Sequence, residues 1–263
     1  MSSQDFAGKS VVVTGSNSGI GESIALLLAQ RGAMVTLCGR DEERLQSVLG
    51  KCQEASGGNS DRFITVQGDL NDKAARDRIL EETIAKFGKL DVLIANAGVS
   101  PKTKIEDDTE ELFDFVFNTN LKSVYFLIQA ALPLLEKTKG NIVCVSSIVS
   151  TMPVLWNQLY QMAKAGMDQL VRTLALSQGP KGIRVNAINP TIVLTRLHER
   201  QGQGEARKRE LEENMGRRHP LHARSSTPEE QAEVAVFLAS DGAGFVTGQC
   251  VKVDGGITLG KRE

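Results

Sequence analysis

Two side chains that could carry proton transfer lie four residues apart in the sequence. They are Tyr160 and Lys164, in the segment Tyr160-Gln-Met-Ala-Lys164. Apolar residues at three- and four-residue spacing predict a helix over 160–177, so both side chains share one helix face. A phenol with a pKa near 10 is a weak acid–base catalyst at neutral pH. An ammonium group about 4 Å away would lower that pKa by about three units, against an opposing effect of burial.

The pair therefore predicts that Lys164 lowers the pKa of Tyr160 and makes it a general acid or base. A tyrosine and a lysine also share many ordinary surface helices, so the pair needs a setting. Ser147 follows a predicted strand over 142–146 and precedes Tyr160 by thirteen residues. Because the carboxyl ends of parallel strands line the ligand crevice, we expect Ser147 and Tyr160 in one pocket.

A glycine-rich loop joins the first predicted strand to the first predicted helix, with the sequence Thr14-Gly15-Ser16-Asn17-Ser18-Gly19-Ile20-Gly21. Glycines there let the backbone turn tightly and approach a pyrophosphate at the positive end of the helix. The spacing is Gly-x-x-x-Gly-x-Gly rather than Gly-x-Gly-x-x-Gly. Its position between a strand and a helix favours dinucleotide binding over a purely structural turn.

The end of the second predicted strand indicates which cofactor is bound. An acidic residue there would hydrogen-bond the ribose diol of NAD. The chain instead has Gly39 followed by Arg40, whose guanidinium can bind a 2′-phosphate. We therefore predict a preference for NADP(H). The alternative is that Arg40 only caps a surface loop that continues into Asp41 and Glu42.

The elements that must position these residues alternate along the chain. Apolar runs predict strands, and apolar residues at helical spacing predict helices, one of them capped by Thr227. Strands each followed by a helix imply a doubly wound, seven-stranded parallel sheet of the Rossmann type, with helices on both faces, in a single α/β domain over 1–263. The strands are expected at 9–14, 34–38, 63–67, 90–96, 142–146, 183–189 and 251–253, and the helices at 20–31, 72–87, 160–177 and 228–239. The polar stretch 191–226 is interpreted as a surface insertion or a lid.

Composition excludes several other classes of protein. The chain has 263 residues and a formal net charge of −1, which gives no general affinity for nucleic acid or anionic membranes. No apolar run is long enough to span a bilayer, and no secretory signal is visible. Three of the four cysteines lie in apolar strand-like runs, where buried free thiols are expected, and a reducing cytoplasm with no disulfide and no metal site is expected. The three histidines, His198, His219 and His222, are expected to be exposed on a loop.

Taken together, these motifs resemble those of the short-chain dehydrogenase/reductase family, in its single-domain branch, over nearly the whole chain. The matching segments are Thr14-Gly15, Gly19-Ile20-Gly21, Gly68-Asp69-Leu70, Asn96-Ala97-Gly98, Asn120, Ser147, Tyr160, Lys164, Arg184-Val185-Asn186, Pro190, Thr195 and Val253-Asp254-Gly255-Gly256. So many motifs in the same order make the resemblance specific.

The resemblance implies a role for each catalytic candidate. Tyr160 would be the acid–base residue and Ser147 would hydrogen-bond the substrate oxygen. Lys164 would hold the nicotinamide ribose and lower the pKa of the tyrosine. Asn120 would support a water molecule that links Lys164 to solvent as a proton relay.

The resemblance also implies a set of residues that contact NADP(H). Asp69 is expected at the adenine, Asn96 on the ribose side, and the segment after the sixth strand at the carboxamide. The full set is Gly15, Asn17, Ser18, Gly19, Ile20, Gly21, Arg40, Asp69, Leu70, Asn96, Gly98, Tyr160, Lys164, Pro190, Ile192, Val193 and Thr195.

Two positions depart from the family pattern. Thr191 follows Pro190 where a glycine is usual, which resembles dicarbonyl/L-xylulose reductases. Ser18 stands where many NADP-preferring members have a basic residue, so Arg40 remains the main expected phosphate ligand.

The sequence thus predicts an NADP(H)-dependent carbonyl reductase or secondary-alcohol dehydrogenase that acts on a small molecule. One alternative is a 3-oxoacyl reductase acting on a carrier-bound thioester, with Arg217 and Arg218 facing the acidic carrier. Another is a regulatory protein that binds NADP(H) without catalysis. Trp156 is interpreted either as a pocket wall or as buried packing. The resemblance implies a homotetramer formed through helices within 109–137 and 160–177.

Overall fold

A computed structural model of the chain describes residues 4–194 and 212–260. Seven parallel strands form one sheet in the order β3-β2-β1-β4-β5-β6-β7. This order is that of a Rossmann-type fold. The strands are β1 Ser10–Thr14, β2 Met34–Gly39, β3 Phe63–Gln67, β4 Val92–Ala95, β5 Asn141–Val145, β6 Arg184–Pro190 and β7 Cys250–Val253.

Seven helices cover the sheet within the described stretches. They are α1 Gly19–Gln30, α2 Glu42–Ala55, α3 Lys73–Phe87, α4 Glu110–Phe117, α5 Ser123–Thr138, α6 Gln158–Gln178 and α7 Pro228–Ala239. A single π-helical turn, Asn118–Lys122, joins α4 to α5. None of these helices is long and apolar enough to span a membrane.

The central strands β1, β4, β5 and β6 are buried on both faces, as uninterrupted apolar runs require, whereas the edge strands β3 and β7 are partly exposed. Val11 and Val13 of β1 pack into one core with α1, α2 and α7, whereas Val12 between them faces a second core with α3, α5 and α6. Alternate residues of one strand therefore serve two helical layers. The predicted doubly wound arrangement is confirmed.

The strand order reverses at β1, which pairs with β2 on one side and with β4 on the other. In open parallel sheets the ligand crevice opens at this point, beyond the carboxyl ends of the strands. The loops after β1, β4 and β5 carry the glycine-rich loop, Asn96 and Ser147. The fold thus brings three predicted motifs to one edge of the sheet.

The predicted capping box is present at the start of α7. The Thr227 hydroxyl accepts from the Glu230 N–H, and the Glu230 carboxylate accepts from the Thr227 N–H. These bonds satisfy backbone groups that a helix start otherwise leaves unpaired.

Candidate active site

A cavity of about 380 Å³ lies at the strand-order reversal. It extends from the glycine-rich loop to the loops after β5 and β6. Most of the predicted site residues line it, namely Gly15, Asn17, Ser18, Gly19, Ile20, Arg40, Asp69, Leu70, Asn96, Gly98, Ser147, Tyr160, Lys164, Pro190, Ile192 and Val193. Gly21 and Asn120 lie behind this lining, and Thr195 lies outside the described residues.

Close packing explains why the loop after β1 needs its glycines. Gly15 has a φ of +64°, and a Cβ on it would lie 2.9 Å from Ala97 Cα. A Cβ on Gly21 would lie 2.4 Å from Asn96 Nδ2. Asn96 Nδ2 donates to the backbone oxygens of Thr14 at 2.8 Å and Gly15 at 3.1 Å. Asn96 thus ties the loop to β4 instead of pointing only toward a ligand.

The start of α1 presents backbone donors to the cavity. Ser18 is the N-cap residue, and its side chain makes no capping hydrogen bond. The N–H groups of the first helical turn therefore keep their capacity for an external acceptor. Together with the helix dipole, they form a cradle into which a pyrophosphate fits.

Arg40 lies at the adenosine end of the predicted cofactor site. Its Nη1 is 3.7 Å from Asp69 Oδ2, and both side chains are about half exposed. A Cβ on Gly39 would lie 2.9 Å from Asn17 Cγ, so the Asn17 side chain fills the space where a selective carboxylate would begin. Arg40 and Asp69 are the two charged side chains that line this end of the cavity among the described residues.

Tyr160, Ser147 and Lys164 meet at the floor of the cavity. The hydroxyls of Tyr160 and Ser147 are hydrogen-bonded to each other. Lys164 is 2% exposed, and its Nζ donates to the Val145 carbonyl at 2.7 Å. This ammonium lies 5.6 Å from the centroid of the Tyr160 ring.

The expected lowering of the Tyr160 pKa is wrong for this geometry. Burial raises the pKa of Tyr160 to about 12, and the hydrogen bond with Ser147 only partly opposes this. Burial also lowers the pKa of Lys164 to about 8. The reason is that the ammonium is turned toward Val145, so its charge does not offset the desolvation of the phenol. Tyr160 is a neutral proton donor.

Asn120 lies inside the π-helical turn and is fully buried. Its Nδ2 donates to the carbonyls of Val99 and Val116, and its Oδ1 accepts from the Val99 N–H. The π-helical turn frees the Val116 carbonyl for this bond. Asn120 thus holds the loop after β4 beside Lys164, since a Cβ on Gly98 would lie 2.8 Å from Asn120 Oδ1 and 3.7 Å from Lys164 Nζ.

A buried polar network behind Ser147 was missed by sequence reasoning. Asn189 Nδ2 donates to the Ser147 carbonyl at 3.1 Å, to Ser150 Oγ at 2.9 Å and to Asp168 Oδ2 at 2.9 Å. Ser150 Oγ also donates to Asp168 at 2.6 Å. Asp168 lies one helical turn after Lys164, and that spacing is the sequence signal that could have pointed to it. The network fixes the backbone that carries Ser147.

One predicted loop histidine is buried, so that expectation is wrong for His219. Its side chain is 1% exposed, and its Nε2 lies 2.7 Å from Thr191 Oγ1. Its Nδ1 lies 3.2 Å from the Gly216 carbonyl. Thr191, where the family usually has glycine, supplies the hydroxyl that retains this ring in the interior. His222 is exposed as expected, and His198 lies outside the described residues.

The remaining wall of the cavity is mostly apolar. Trp156 lines it and is 38% exposed, so it forms pocket wall instead of buried packing. Lys102 Nζ lies 5.8 Å from the centroid of its ring. The other apolar side chains are Val149, Met152, Val154, Ile192, Val193 and Met215.

The fold and this cavity together define a Rossmann-type protein with a dinucleotide cradle beside a tyrosine–serine–lysine group. Comparison with known proteins agrees. The family profile described as enoyl-(acyl carrier protein) reductase matches residues 15–258. The chain belongs to the short-chain dehydrogenase/reductase family of oxidoreductases, which bind a nicotinamide cofactor and act on small molecules.

Relatives match along the whole chain. A tropinone reductase homologue from Arabidopsis thaliana is 35% identical over 256 residues, which is 95% of this chain and 91% of the relative. The 3-oxoacyl-[acyl-carrier-protein] reductase FabG from Thermotoga maritima is 35% identical over 255 residues, 96% of this chain and 98% of the relative. A short-chain dehydrogenase/reductase of unknown function from Caenorhabditis elegans, solved with cofactor, superposes with a TM-score of 0.93 at 33% identity and covers 97% of each chain.

Proposed function

We propose that the protein is an NADP(H)-dependent carbonyl reductase or secondary-alcohol dehydrogenase, with Tyr160 as the acid–base residue. The observation that carries the proposal is the neutral Tyr160 phenol, hydrogen-bonded to Ser147 in the cavity that begins at the glycine-rich loop. A proton donor and a dinucleotide cradle in one cavity are what carbonyl reduction requires.

The residues around the cradle fit a nicotinamide dinucleotide. The first turn of α1 would bind the pyrophosphate, with Asp69, Leu70, Asn96 and Gly98 along the nucleoside groups. Pro190, Ile192 and Val193 would flank the carboxamide, as would Thr195. When bound, this cofactor supplies hydride transfer between its nicotinamide C4 and a carbonyl carbon.

The chain's own residues would handle the proton. Tyr160 donates its hydroxyl proton to the carbonyl oxygen, and Ser147 orients that oxygen by hydrogen bonding. With its pKa raised to about 12, the phenol holds its proton throughout the neutral range and is available to donate it, although it is a weaker acid than an exposed phenol. Lys164, which donates to the Val145 carbonyl beside Tyr160, would hold the nicotinamide ribose, and Asn120 fixes the turn beside it.

Arg40 supports NADP(H) over NAD(H). Its guanidinium is the exposed cation at the adenosine end, and Gly39 supplies no carboxylate that would repel a 2′-phosphate. The ion pair with Asp69 is long at 3.7 Å and solvent-exposed, so it is weak enough to yield to a phosphate.

Replacement of Tyr160 by phenylalanine tests the proposal. We expect kcat for NADPH-dependent carbonyl reduction to fall by about 10²- to 10⁴-fold, because only the transferred proton is removed. The affinity for NADPH, measured by fluorescence titration, should change little. The matched control is Tyr125→Phe, since Tyr125 is the other tyrosine of the chain and lies exposed on α5. Turnover of Tyr160→Phe at the unmutated rate would refute the assignment.

A second candidate is 3-oxoacyl reduction on a carrier-bound thioester. It is favoured by the relative named as such from Thermotoga maritima and by the exposed Arg217 and Arg218, which follow the cavity residue Met215 in the chain. Reversal of both charges should raise KM for the carrier-bound substrate and leave KM for a free ketone unchanged. A non-catalytic regulatory role would require that no carbonyl compound supports NADPH oxidation.

We also propose that the chain works as a homotetramer in the cytoplasm. Its four free cysteines, three of them fully buried, suit a reducing compartment. Exposed aromatic side chains on α4 and α5 support assembly through these helices.

A further inference from the structure

Four charged side chains line the cavity within the described part of the chain, and three of them have charged or polar partners. Arg40 and Asp69 pair with each other at the adenosine end. Lys164 donates to the Val145 carbonyl beneath Tyr160. Lys102 is the fourth, and no carboxylate among residues 4–194 and 212–260 forms an ion pair with it. Among the described residues, the substrate end of the cavity therefore carries a positive charge that no carboxylate offsets.

The loop that carries the exposed Lys102 is held by contacts with a second loop. Asn157, with a left-handed φ of 60°, donates its N–H to the Thr103 carbonyl and its Nδ2 to Ser100 Oγ, each at 3.0 Å. These bonds hold the loop after β4 against the loop before α6. They bring Lys102 Nζ to 5.8 Å from the ring centroid of Trp156, a cation–π distance.

The residues around Lys102 indicate the chemical character of the remainder of the ligand. The wall beyond Tyr160 is formed by Met152, Val154, Trp156 and Met215, which favour an apolar body. A single ammonium beside such a wall suits one negative charge at the end of that body. A phosphate would need several convergent donors, such as an arginine fork or a helix N-terminus, and the described residues of this wall offer neither.

We infer that the substrate of this site is a carbonyl compound with an apolar body and one carboxylate, and that the carboxylate pairs with Lys102. The inference rests on the proposed carbonyl reduction and adds the chemical class of the substrate. Lys102 acts in binding, so its effect falls on KM and leaves the proton transfer at Tyr160 unchanged.

The chain provides a control lysine and an optical probe. Lys104 lies two residues further along the same loop, is exposed, and does not line the cavity. The substitution Lys104→Gln therefore removes the same charge from the same loop outside the site. Trp156 is the only tryptophan, so its fluorescence reports ligands that bind beside Lys102.

The test compares two ketones that differ only in charge, 4-acetylbenzoate and methyl 4-acetylbenzoate, in NADPH-depletion assays with a broader panel of neutral carbonyl compounds. For the unmutated protein we expect kcat/KM to favour the carboxylate by about fivefold or more. Lys102→Gln should abolish this preference through KM, and Lys104→Gln should retain it. Raising the ionic strength should weaken the preference in the unmutated protein and leave Lys102→Gln unaffected.

Trp156 quenching by the same two compounds measures binding without turnover. It should require a lower concentration of the carboxylate than of the ester, except in Lys102→Gln. If the unmutated protein, Lys102→Gln and Lys104→Gln all reduce the two ketones with the same preference between carboxylate and ester, the Lys102 inference is overturned and the proposed function stays intact. The Lys102 inference is also overturned if the unmutated protein and Lys102→Gln reduce acetoacetyl-CoA at the same rate and neither reduces a ketone that carries a carboxylate. If no carbonyl compound is turned over, the proposed function fails, and the quenching comparison alone decides whether Lys102 binds a carboxylate.

Discussion

At Tyr160, burial and hydrogen bonding act on one phenol in opposite directions, and burial has the larger effect. The Ser147 hydroxyl stabilises the phenolate, but removal of the ring from water costs more, so the pKa rises to about 12. The same burial acts on Lys164 with the opposite sign, because there the protonated form is the charged one. Both groups are thus shifted toward neutrality by a single cause.

The lysine shift predicts a pH-dependent stability. Its pKa is about 8 in the folded protein and 10.5 in its usual environment, so between these values the unfolded chain binds a proton that the folded chain has lost. Stability must then rise with pH across that window. Relative to Lys164→Met, the unfolding free energy of the unmutated protein should increase by up to about 3 kcal/mol from pH 8 to pH 10.5.

Urea titrations of both proteins at several pH values measure this difference, since all other titrating groups cancel. Lys104→Met serves as the control for the loss of an exposed lysine side chain elsewhere in the fold. If the difference in unfolding free energy between the unmutated protein and Lys164→Met stays constant with pH, Lys164 keeps its ordinary pKa in the fold.

In the proposed function Arg40 determines the preference between NADP(H) and NAD(H). Reversal of its charge tests this role. Arg40→Asp removes the phosphate ligand and adds a carboxylate that can accept from a ribose diol. We expect the ratio of kcat/KM for NADPH to that for NADH to fall by about tenfold or more. Arg44→Asp is the matched change, since Arg44 pairs with Asp41 and does not line the cavity. An unchanged ratio in Arg40→Asp would assign selectivity to other residues.

At the scale of elements, the strands could be predicted to within two residues at each end. β3 was predicted at its observed bounds, because a buried run flanked by polar residues marks both strand ends. The helix α2 was missed. Only Leu45, Val48 and Cys52 are buried in it, so its apolar stripe is narrow, and Asp41 was interpreted as part of a loop. Asp41 is the N-cap, and its carboxylate accepts from the Arg44 N–H.

The π-helical turn between α4 and α5 could not be predicted, because one extra residue in a helix barely changes the apolar spacing. Within this turn the Asn120 side chain donates to the carbonyl of Val116, four residues earlier in the chain. The network of Ser150, Asp168 and Asn189 was hidden for a related reason. Its members are 18 to 39 residues apart in sequence, so only the folded sheet brings them together. Local patterns revealed the groups that face the cavity, whereas their support required the tertiary structure.

At the scale of the whole molecule, several aromatic side chains on α4 and α5 are partly exposed among the described residues. Phe113 and Phe115 on α4 are 43% and 41% exposed, and Tyr125 and Phe126 on α5 are 45% and 40% exposed. Further along α5, the exposed residues Ala130 and Pro133 follow Phe126 at helical spacing. Exposed apolar side chains on two consecutive helices, here called the α4–α5 face, are typical of a subunit interface.

If the proposed tetramer forms through this face, substitutions on the face should change the mass of the protein in solution. The double substitution Phe115→Glu with Tyr125→Glu would bury like charges in a contact between copies, which is strongly unfavourable. Light scattering after size-exclusion chromatography should give four copies of the 28.5 kDa chain for the unmutated protein and a smaller assembly for the variant. Ile105→Glu adds a charge at another exposed apolar residue, outside both helices, and should keep the mass of the unmutated protein. Because the α4–α5 face adjoins the turn that holds Asn120, loss of assembly should also lower kcat by loosening the loop beside Lys164. A variant that remains tetrameric would move the interface to another face of the molecule.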